Sequence, residues 1–377
     1  MRLSRLFMPR LLLPALIASQ PLLASAKVEL LQTPALQTTR AAQSVLTNLH
    51  PFDNGYLVTG ERGLLLQWQA NGQWQQLDSP VSVGLTAVTV LPDGSAVAVG
   101  HDAAILRRAP GGVWQKAFDG YDLTRLQIAA LDSRREQLQE TIDSAPDDAD
   151  IGELEYQLEE LEFNLEDTRA ELETGPNKPL LDIVSAGGKR LFAVGAYGTL
   201  LRSDDAGSSW QLHSASLDNP DRFHLNAITR ADDGSLFIVG ESGLGFVSRD
   251  SGDSWQALDL PYDGSLFGIA TRAANLVAFG LQGHVLVSSD GGDNWQHQKV
   301  NAGASFLGGT IDADGQAVLV GHGGIVASFP VAQPDAITVR KHPSGAAFSA
   351  VAAQDGQLIL AGQFGVTAWD MKRGNSK

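Results

Sequence analysis

Three octapeptides carry the side chains best placed to do chemistry. Ser203-x-Asp205-x-Gly207-x-x-Trp210 recurs as Ser248-x-Asp250-x-Gly252-x-x-Trp255 and as Ser288-x-Asp290-x-Gly292-x-x-Trp295. An Asp so placed can accept backbone N–H bonds within a turn, the Gly can take positive φ, and the Trp can pack between sheets. That chemistry is structural. Calcium is the rival use, through Asp250 and Asp253 or Asp290 and Asp293, but the spacing lacks the ligand pattern of an EF-hand loop. The chain has no cysteine, which excludes disulfides, thiolate zinc, iron–sulfur clusters and cysteine nucleophiles. Its eight histidines show neither His-x-His nor His-Glu-x-x-His spacing. His101 and His322 sit at equivalent turn positions and read as solvated turn residues rather than as ligands. No metal, no cofactor and no catalytic residue are expected.

The octapeptides belong to a longer repeat. A pair of glycines three residues apart follows a run of small and branched apolar residues. It reads Gly60-Glu61-Arg62-Gly63, then Gly195-Ala196-Tyr197-Gly198, Gly240-Glu241-Ser242-Gly243, Gly280-Leu281-Gln282-Gly283, Gly321-His322-Gly323-Gly324 and Gly362-Gln363-Phe364-Gly365. A seventh copy, Gly100-His101-Asp102-Ala103, keeps only the first glycine. Such a pair suits a tight hairpin, because glycine takes positive φ without a Cβ clash. In chain order the first glycines lie 40, 95, 45, 40, 41 and 41 residues apart. A period near 40 residues is that of four-stranded propeller blades. One unit reads as strands over residues 225–229, 235–239 and 244–248, with a fourth from Trp255. The expected fold is all-β, a seven-bladed β-propeller of four-stranded antiparallel blades. The last unit supplies only three strands, ending at Trp369, so residues 27–40 are expected to add a fourth and close the ring. Residues 27–120 then hold blades 1 and 2 with the closing strand, residues 176–370 hold blades 3 to 7, and residues 371–377 form a tail.

The one long gap has a different pattern. Ile151, Leu154, Leu158, Leu161, Leu165, Thr168 and Leu172 are spaced as a heptad seam, and Ile128, Leu131, Arg135, Leu138 and Ile142 carry the same spacing earlier. Ala145-Pro146 breaks the pattern, and Gly175-Pro176 ends it. Residues 121–175 therefore predict an inserted antiparallel α-helical coiled-coil hairpin, each arm about 20 residues and roughly 30 Å long. The hairpin carries 17 Asp and Glu against four Arg, a net −13. It leaves from a connection between blades, which in an up-and-down blade lies on the same face as the Gly-x-x-Gly turns. The octapeptides fall on the opposite face.

The N-terminus reads as a secretory signal over residues 1–26. Arg2, Arg5 and Arg10 precede a short apolar run interrupted by Pro14, and Ala24-Ser25-Ala26 offers a cleavage site before Lys27. With no cysteine after it, a lipid anchor is not expected, and the reading is a soluble periplasmic protein. The formal charge of −16 becomes −19 once those three arginines are removed. So acidic a chain is a poor candidate for nucleic acid or anionic lipid.

The octapeptide resembles the Asp-box, or BNR repeat. Together with the preceding Gly-x-x-Gly turn, residues 195–210, 240–255 and 280–295 resemble the photosystem II stability and assembly factor family. That resemblance implies an exported, non-enzymatic seven-bladed propeller that escorts a membrane protein during assembly. It also implies periplasmic relatives suspected as accessories of envelope machinery, including RND-type exporters. The chain departs from the family in lacking a lipobox cysteine and in adding the acidic hairpin. The expectation is an assembly or accessory factor for a membrane protein complex, with an RND-type exporter as the specific partner. The loop-face candidates are Glu61, Arg62, His101, Asp102, Tyr197, Glu241, Gln282, His322, Gln363 and Phe364. The arm candidates are Glu153, Glu155, Glu159, Glu160, Glu162 and Glu166. The alternative is a sialidase-like glycoside hydrolase or glycan binder, because Asp-box propellers include sialidases. That family's chemistry implies a Tyr nucleophile with a Glu partner, here Tyr197 and Glu241, and an arginine triad, for which Arg62 and Arg222 are candidates. The family's Arg-Ile-Pro sequence is absent. A small-ligand site in the central channel is the remaining alternative.

Overall fold

The computed structural model describes residues 29–370, except residues 70, 147, 148, 302 and 355. The signal segment and the tail lie outside the described residues.

The second strand of each repeat is an unbroken apolar run. Leu236–Gly240 is buried at every position, as is Ala96–Gly100. Such a strand needs cover on both faces, and a sheet flanked by two other sheets supplies it. The fourth strands are polar and exposed, as in Thr338–Lys341. Each repeat thus runs from a covered centre to a wet rim, which is a propeller blade. Seven blades occupy residues 46–76, 85–118, 180–212, 225–257, 266–299, 306–341 and 348–369. All are antiparallel meanders in sequence order, six of them four-stranded and the seventh three-stranded. First strands pack on one another around the whole ring, with blade 7 against blade 1. An apolar cluster fills each seam between neighbours. At the closing seam Leu46 and Val58 of blade 1 meet Ala350 and Ile359 of blade 7.

The expected closing strand is not formed. Among the described residues, 29–40 contain no strand, and blade 7 stays three-stranded. This segment instead runs as a strap along blade 1. Ser82 N donates to Leu30 O (2.9 Å) and Ala35 N to Ser79 O (3.0 Å). Thr38 N donates to the Gln76 side chain at 2.9 Å. A one-turn helix, Ala41–Gln43, then packs on the last strand of blade 7. Pro34 has no N–H to give to a ladder, and the Ala35 amide beside it is already bonded to Ser79.

The ring is held at its centre by side chains that no motif announced. Each first strand carries a bulge one residue after its start in six of the seven blades, or an equivalent shift in blade 3. The bulged residue reaches the next blade. Thr47 Oγ1 donates to Leu85 O (2.7 Å), Thr86 Oγ1 to Leu180 O (2.8 Å), and Asn226 Nδ2 to Leu266 O (2.8 Å). Ser349 Oγ closes the circle by donating to Leu46 O (2.7 Å). Blades 3, 5 and 6 carry Leu181, Phe267 and Leu307 there and make no such crossbar.

Each octapeptide is a closed hydrogen-bonded turn. Ser248 Oγ accepts from Gly252 N (2.8 Å) and donates to Asp250 Oδ1 (2.8 Å). Asp250 accepts from Ser254 N (2.9 Å) and Ser254 Oγ (2.6 Å). The Ser203–Asp205–Gly207 and Ser288–Asp290–Gly292 turns repeat this pattern. Trp210 and Trp295 donate their indole N–H to Gly207 O and Gly292 O, while the Trp255 ring stands edge-on to Phe192 at 5.8 Å. A Cβ on Gly252 would lie 2.1 Å from Phe192 of the preceding blade, so the turn locks two blades together. Hydrogen bonds from the Ser254 hydroxyl and amide hold the Asp250 carboxyl at about 2. Its contribution is therefore present above pH 4 and is lost as pH falls through 2. Ser248 is 1% exposed. Ser248→Ala is expected to cost about 2 kcal/mol in urea unfolding, because it strands the buried Gly252 N–H.

The insertion is a two-helix arm, α1 (Gly120–Asp143, 24 residues) and α2 (Gly152–Thr174, 23 residues). At 1.5 Å per residue each helix is about 35 Å long, one turn more than expected. Leu138, Leu165 and Thr168 of the seam are buried.

Candidate partner-binding face

Every Gly-x-x-Gly turn makes the same backbone bond. Its second residue donates its N–H to the carbonyl of the residue just before the first strand of that blade, at 2.8–3.3 Å in all seven blades. This explains the first glycine, which is extended rather than at positive φ (Gly60 φ −168°). A Cβ there would lie 2.0–2.5 Å from that same carbonyl oxygen in all seven blades. Positive φ belongs instead to the last two residues of the turn. Arg62, Asp102, Tyr197, Ser242 and Gln282 adopt φ of 51–56°, followed by glycine or, in blade 2, Ala103 at 48°. The hairpin reasoning thus holds for the second glycine and not for the first.

The geometry sorts the loop-face residues. Second-position Glu61, Glu241 and Gln363 turn inward, accepting the amides of Val45, His224 and Ala347. His101 lies against Gly84. At the third position Arg62, Tyr197, Gln282 and Phe364 are exposed and Asp102 is half-buried; at the second position His101, His322 and Gln363 are exposed. Tyr197 and Glu241 are brought together through His224. The Tyr197 ring stands 5.0 Å from the His224 ring, and His224 Nδ1 lies 3.3 Å from Glu241 Oε2. Arg62 is two blades away. Arg190 and Arg202 are on the octapeptide face, paired with Asp204 and Asp253 at 2.7–3.1 Å. Among the described residues, only Arg222 of the arginines shares a groove with Tyr197, so no guanidinium triad of the sialidase kind is assembled there from them.

The arm stands on this same face. Asp119 caps α1 by accepting from Tyr121 N and Asp122 N, and the Asp122 carboxylate accepts Asp119 N in return. Gly120 packs between Pro176 and the Asp102 carbonyl of the blade 2 turn, where a Cβ would lie 2.1 Å from Pro176. Burial at this root raises the Asp102 carboxyl above its usual range. Lys178 Nζ bonds Glu171 Oε2 (2.7 Å) and Gln127 Oε1 (2.9 Å), tying both helices to the entrance of blade 3. α1 then leans on the outer strand of blade 3. Arm and blade enclose a groove of about 740 Å³ lined by Leu131, Lys178, Tyr197, Leu217, Asn219 and Arg222. All six arm candidates, Glu153, Glu155, Glu159, Glu160, Glu162 and Glu166, are exposed.

Three features had no sequence signal. Asp182, on the first strand of blade 3, accepts from Ile228 N of blade 4 (2.9 Å) and from Ile183 N (2.8 Å). Tyr262 stacks on His284 (4.3 Å), whose Nδ1 lies 2.7 Å from His297 Nε2. Tyr156 and Phe163 lie exposed on α2. Among the described residues, no group of three or more His, Asp or Glu is placed to hold a metal ion. No helix there is long and apolar enough to cross a membrane.

Residues 165–342 match the family model described as photosynthesis system II assembly factor YCF48. The structure of YCF48 bound to D1 peptide superposes with a TM-score of 0.56 at 14% identity, covering 89% of this chain and 98% of that one. Residues 165–342 thus resemble that family, and the solved structure shares the propeller fold. YCF48 from Cyanidioschyzon merolae gives 0.55 at 14% identity, covering 88% and 97%. The extracellular domain of a putative one-component system from B. thetaiotaomicron gives 0.54 at 11% identity, covering 86% of this chain and 38% of that one. A search of curated protein sequences found no match. The propeller blades account for the repeated turns, and the arm rises from the connection between the second and third of them.

Proposed function

We propose that this protein is a non-enzymatic assembly or accessory factor that binds a membrane protein complex through its loop face and arm, in the periplasm. One observation carries the reading. The arm is pinned at its root by Gly120, Pro176 and Lys178, so its acidic helices and the outward third-position residues form one continuous working side. An ornamental insertion would need neither the double tether nor the groove shared with blade 3. The likeness to a YCF48 structure with a bound D1 peptide supports a protein ligand rather than a small substrate. The partner we propose is an exporter of the RND type, from the resemblance to periplasmic members of the family.

The test replaces residues 121–175 by a short Gly-Ser linker and compares both proteins for co-purification with solubilised membranes. Loss of the membrane partner, with the urea midpoint of the propeller retained, is the expected result. Unchanged co-purification would remove the arm from the function.

A further inference from the structure

The outer face of α2 carries a pattern that neither helix pairing nor solubility requires. Along the seam Leu165 and Thr168 are buried and Leu154, Leu158, Leu161 and Leu172 are half-buried, with α1 packed against α2, which fixes the rotation of the helix. The line diametrically opposite that seam is the most solvated position of a heptad, where charged residues are ordinarily found. Here it holds Tyr156 and then Phe163, 61% and 71% exposed. Seven residues is two helical turns, so the rings stand about 10 Å apart on one line.

Acidic residues fence this line on both sides. Glu159 and Glu166 flank it on one edge, Glu153 and Glu160 on the other, with Glu155 and Glu162 beyond. None of these six carboxylates joins an ion pair among the described residues. Three of the four arginines of the arm are used elsewhere: Arg125 pairs with Asp122, Arg135 with Asp132 and Glu136, and Arg169 with Asp132 across the two helices; the fourth, Arg134, lies exposed on α1. The strip therefore joins two apolar anchors to uncompensated negative charge.

We propose that this face is the docking strip for a basic amphipathic helix of the partner. The inference rests on the reading of the arm as a docking element and adds its face and its chemistry. A helix with apolar residues at i, i+3 or i+4 and i+7 would cover both rings, and Lys or Arg beside them would meet the glutamates. Aromatic residues are the side chains most often found to dominate such contacts. A second copy of this chain would bring a net −13 against a net −13, and an anionic membrane would be repelled in the same way.

The test uses the full chain and a fluorescein-labelled 21-residue helical peptide of Leu and Lys with its Leu residues on one stripe. A second peptide has the same composition with the stripe scrambled. Anisotropy titration is expected to show at least tenfold tighter binding of the striped peptide. The double variant Tyr156→Gln/Phe163→Gln leaves every charge in place and is expected to erase that preference. Glu159→Gln/Glu166→Gln is expected to weaken binding and flatten its salt dependence. Equal binding of the two peptides, an unaltered preference in the double Gln variant, or tighter binding to phosphatidylglycerol vesicles than to the striped peptide would each overturn the proposal. Membrane co-purification separates this inference from the one beneath it. If removal of the arm abolishes it and Tyr156→Gln/Phe163→Gln does not, the docking face lies elsewhere on the arm and the assembly-factor reading stands.

Discussion

Gly321→Ala is expected to destabilise the propeller by about 3 kcal/mol, at the upper end of what overpacking usually costs. The backbone conformation is no obstacle, since Gly321 is extended at φ −172°. The obstacle is the carbonyl of Ser305, 2.0 Å from where the new Cβ would sit, with Phe306 Cα at 3.0 Å. Both belong to the main chain, so no side chain can swing aside. Relief requires moving the first strand of blade 6 and giving up the bond from His322 N to Ser305 O. Gly323→Ala, two residues later, is the control. Gly323 has φ 66°, and a Cβ there would meet nothing within 4 Å, so its cost is only the left-handed backbone, about 1 kcal/mol. Arg62, Tyr197 and Gln282 already tolerate that conformation in other blades. Urea unfolding of the two variants measures the difference, and equal losses would refute the close-approach explanation of the first glycine.

Asp182→Asn should change how stability depends on pH. Burial at the centre of the ring pushes the Asp182 carboxyl up to about 7, against the opposing hydrogen bonds from Ile228 N and Ile183 N. Asp182 is nonetheless half-buried rather than fully buried, so solvent reaches part of it. A raised carboxyl means that the folded protein holds this proton more tightly than the unfolded chain. The native state is then favoured below pH 4 and loses that advantage as pH rises through 7. The full shift corresponds to roughly 4 kcal/mol, and partial exposure reduces it to roughly 2 kcal/mol. Asn cannot ionise, although its amide nitrogen replaces one of the two acceptors. The lost bond costs the same at every pH, so the diagnostic is the trend. Relative to the parent, Asp182→Asn should gain about 2 kcal/mol between pH 4 and pH 8. A flat difference across that range would show that Asp182 is ionised in the folded protein from low pH.

The fold is legible because its signals are local and repeated. Gly-x-x-Gly marks the turn between the second and third strands, Ser-x-Asp-x-Gly-x-x-Trp marks the turn before the fourth, and the heptads mark the arm. What escapes is non-local. Thr47, Thr86, Asn226 and Ser349 share a role across the ring, yet three residue types fill it and three blades omit it. The strap reads as a strand because its composition allows either, and only its bonds to blade 1 decide. On the loop face both residues between the glycines look equally variable in sequence. The structure separates them: Glu61, Glu241 and Gln363 serve their own blades, while Arg62, Tyr197, Gln282 and Phe364 at the third position face outward and Asp102 supports the root of the arm. Tyr156 and Phe163 are hidden because they are two residues among many acids, and their meaning depends on which side of α2 is covered.

The crossbar from Ser349 to Leu46 joins residues 303 positions apart, while Thr47 reaches only 38 positions ahead to Leu85. Loop-closure entropy grows with that separation, and contacts of high sequence distance form late. Blades 1 to 6 can therefore stack in order as the chain grows, but the flank of blade 1 stays bare until blade 7 arrives. Leu46, Val58 and Leu66, all buried in the finished ring, are uncovered for that interval. The vulnerable moment in the life of this protein is thus the wait before the circle shuts, and weakening the seam at Ser349 would prolong exposure to aggregation more than it lowers the stability of the closed ring.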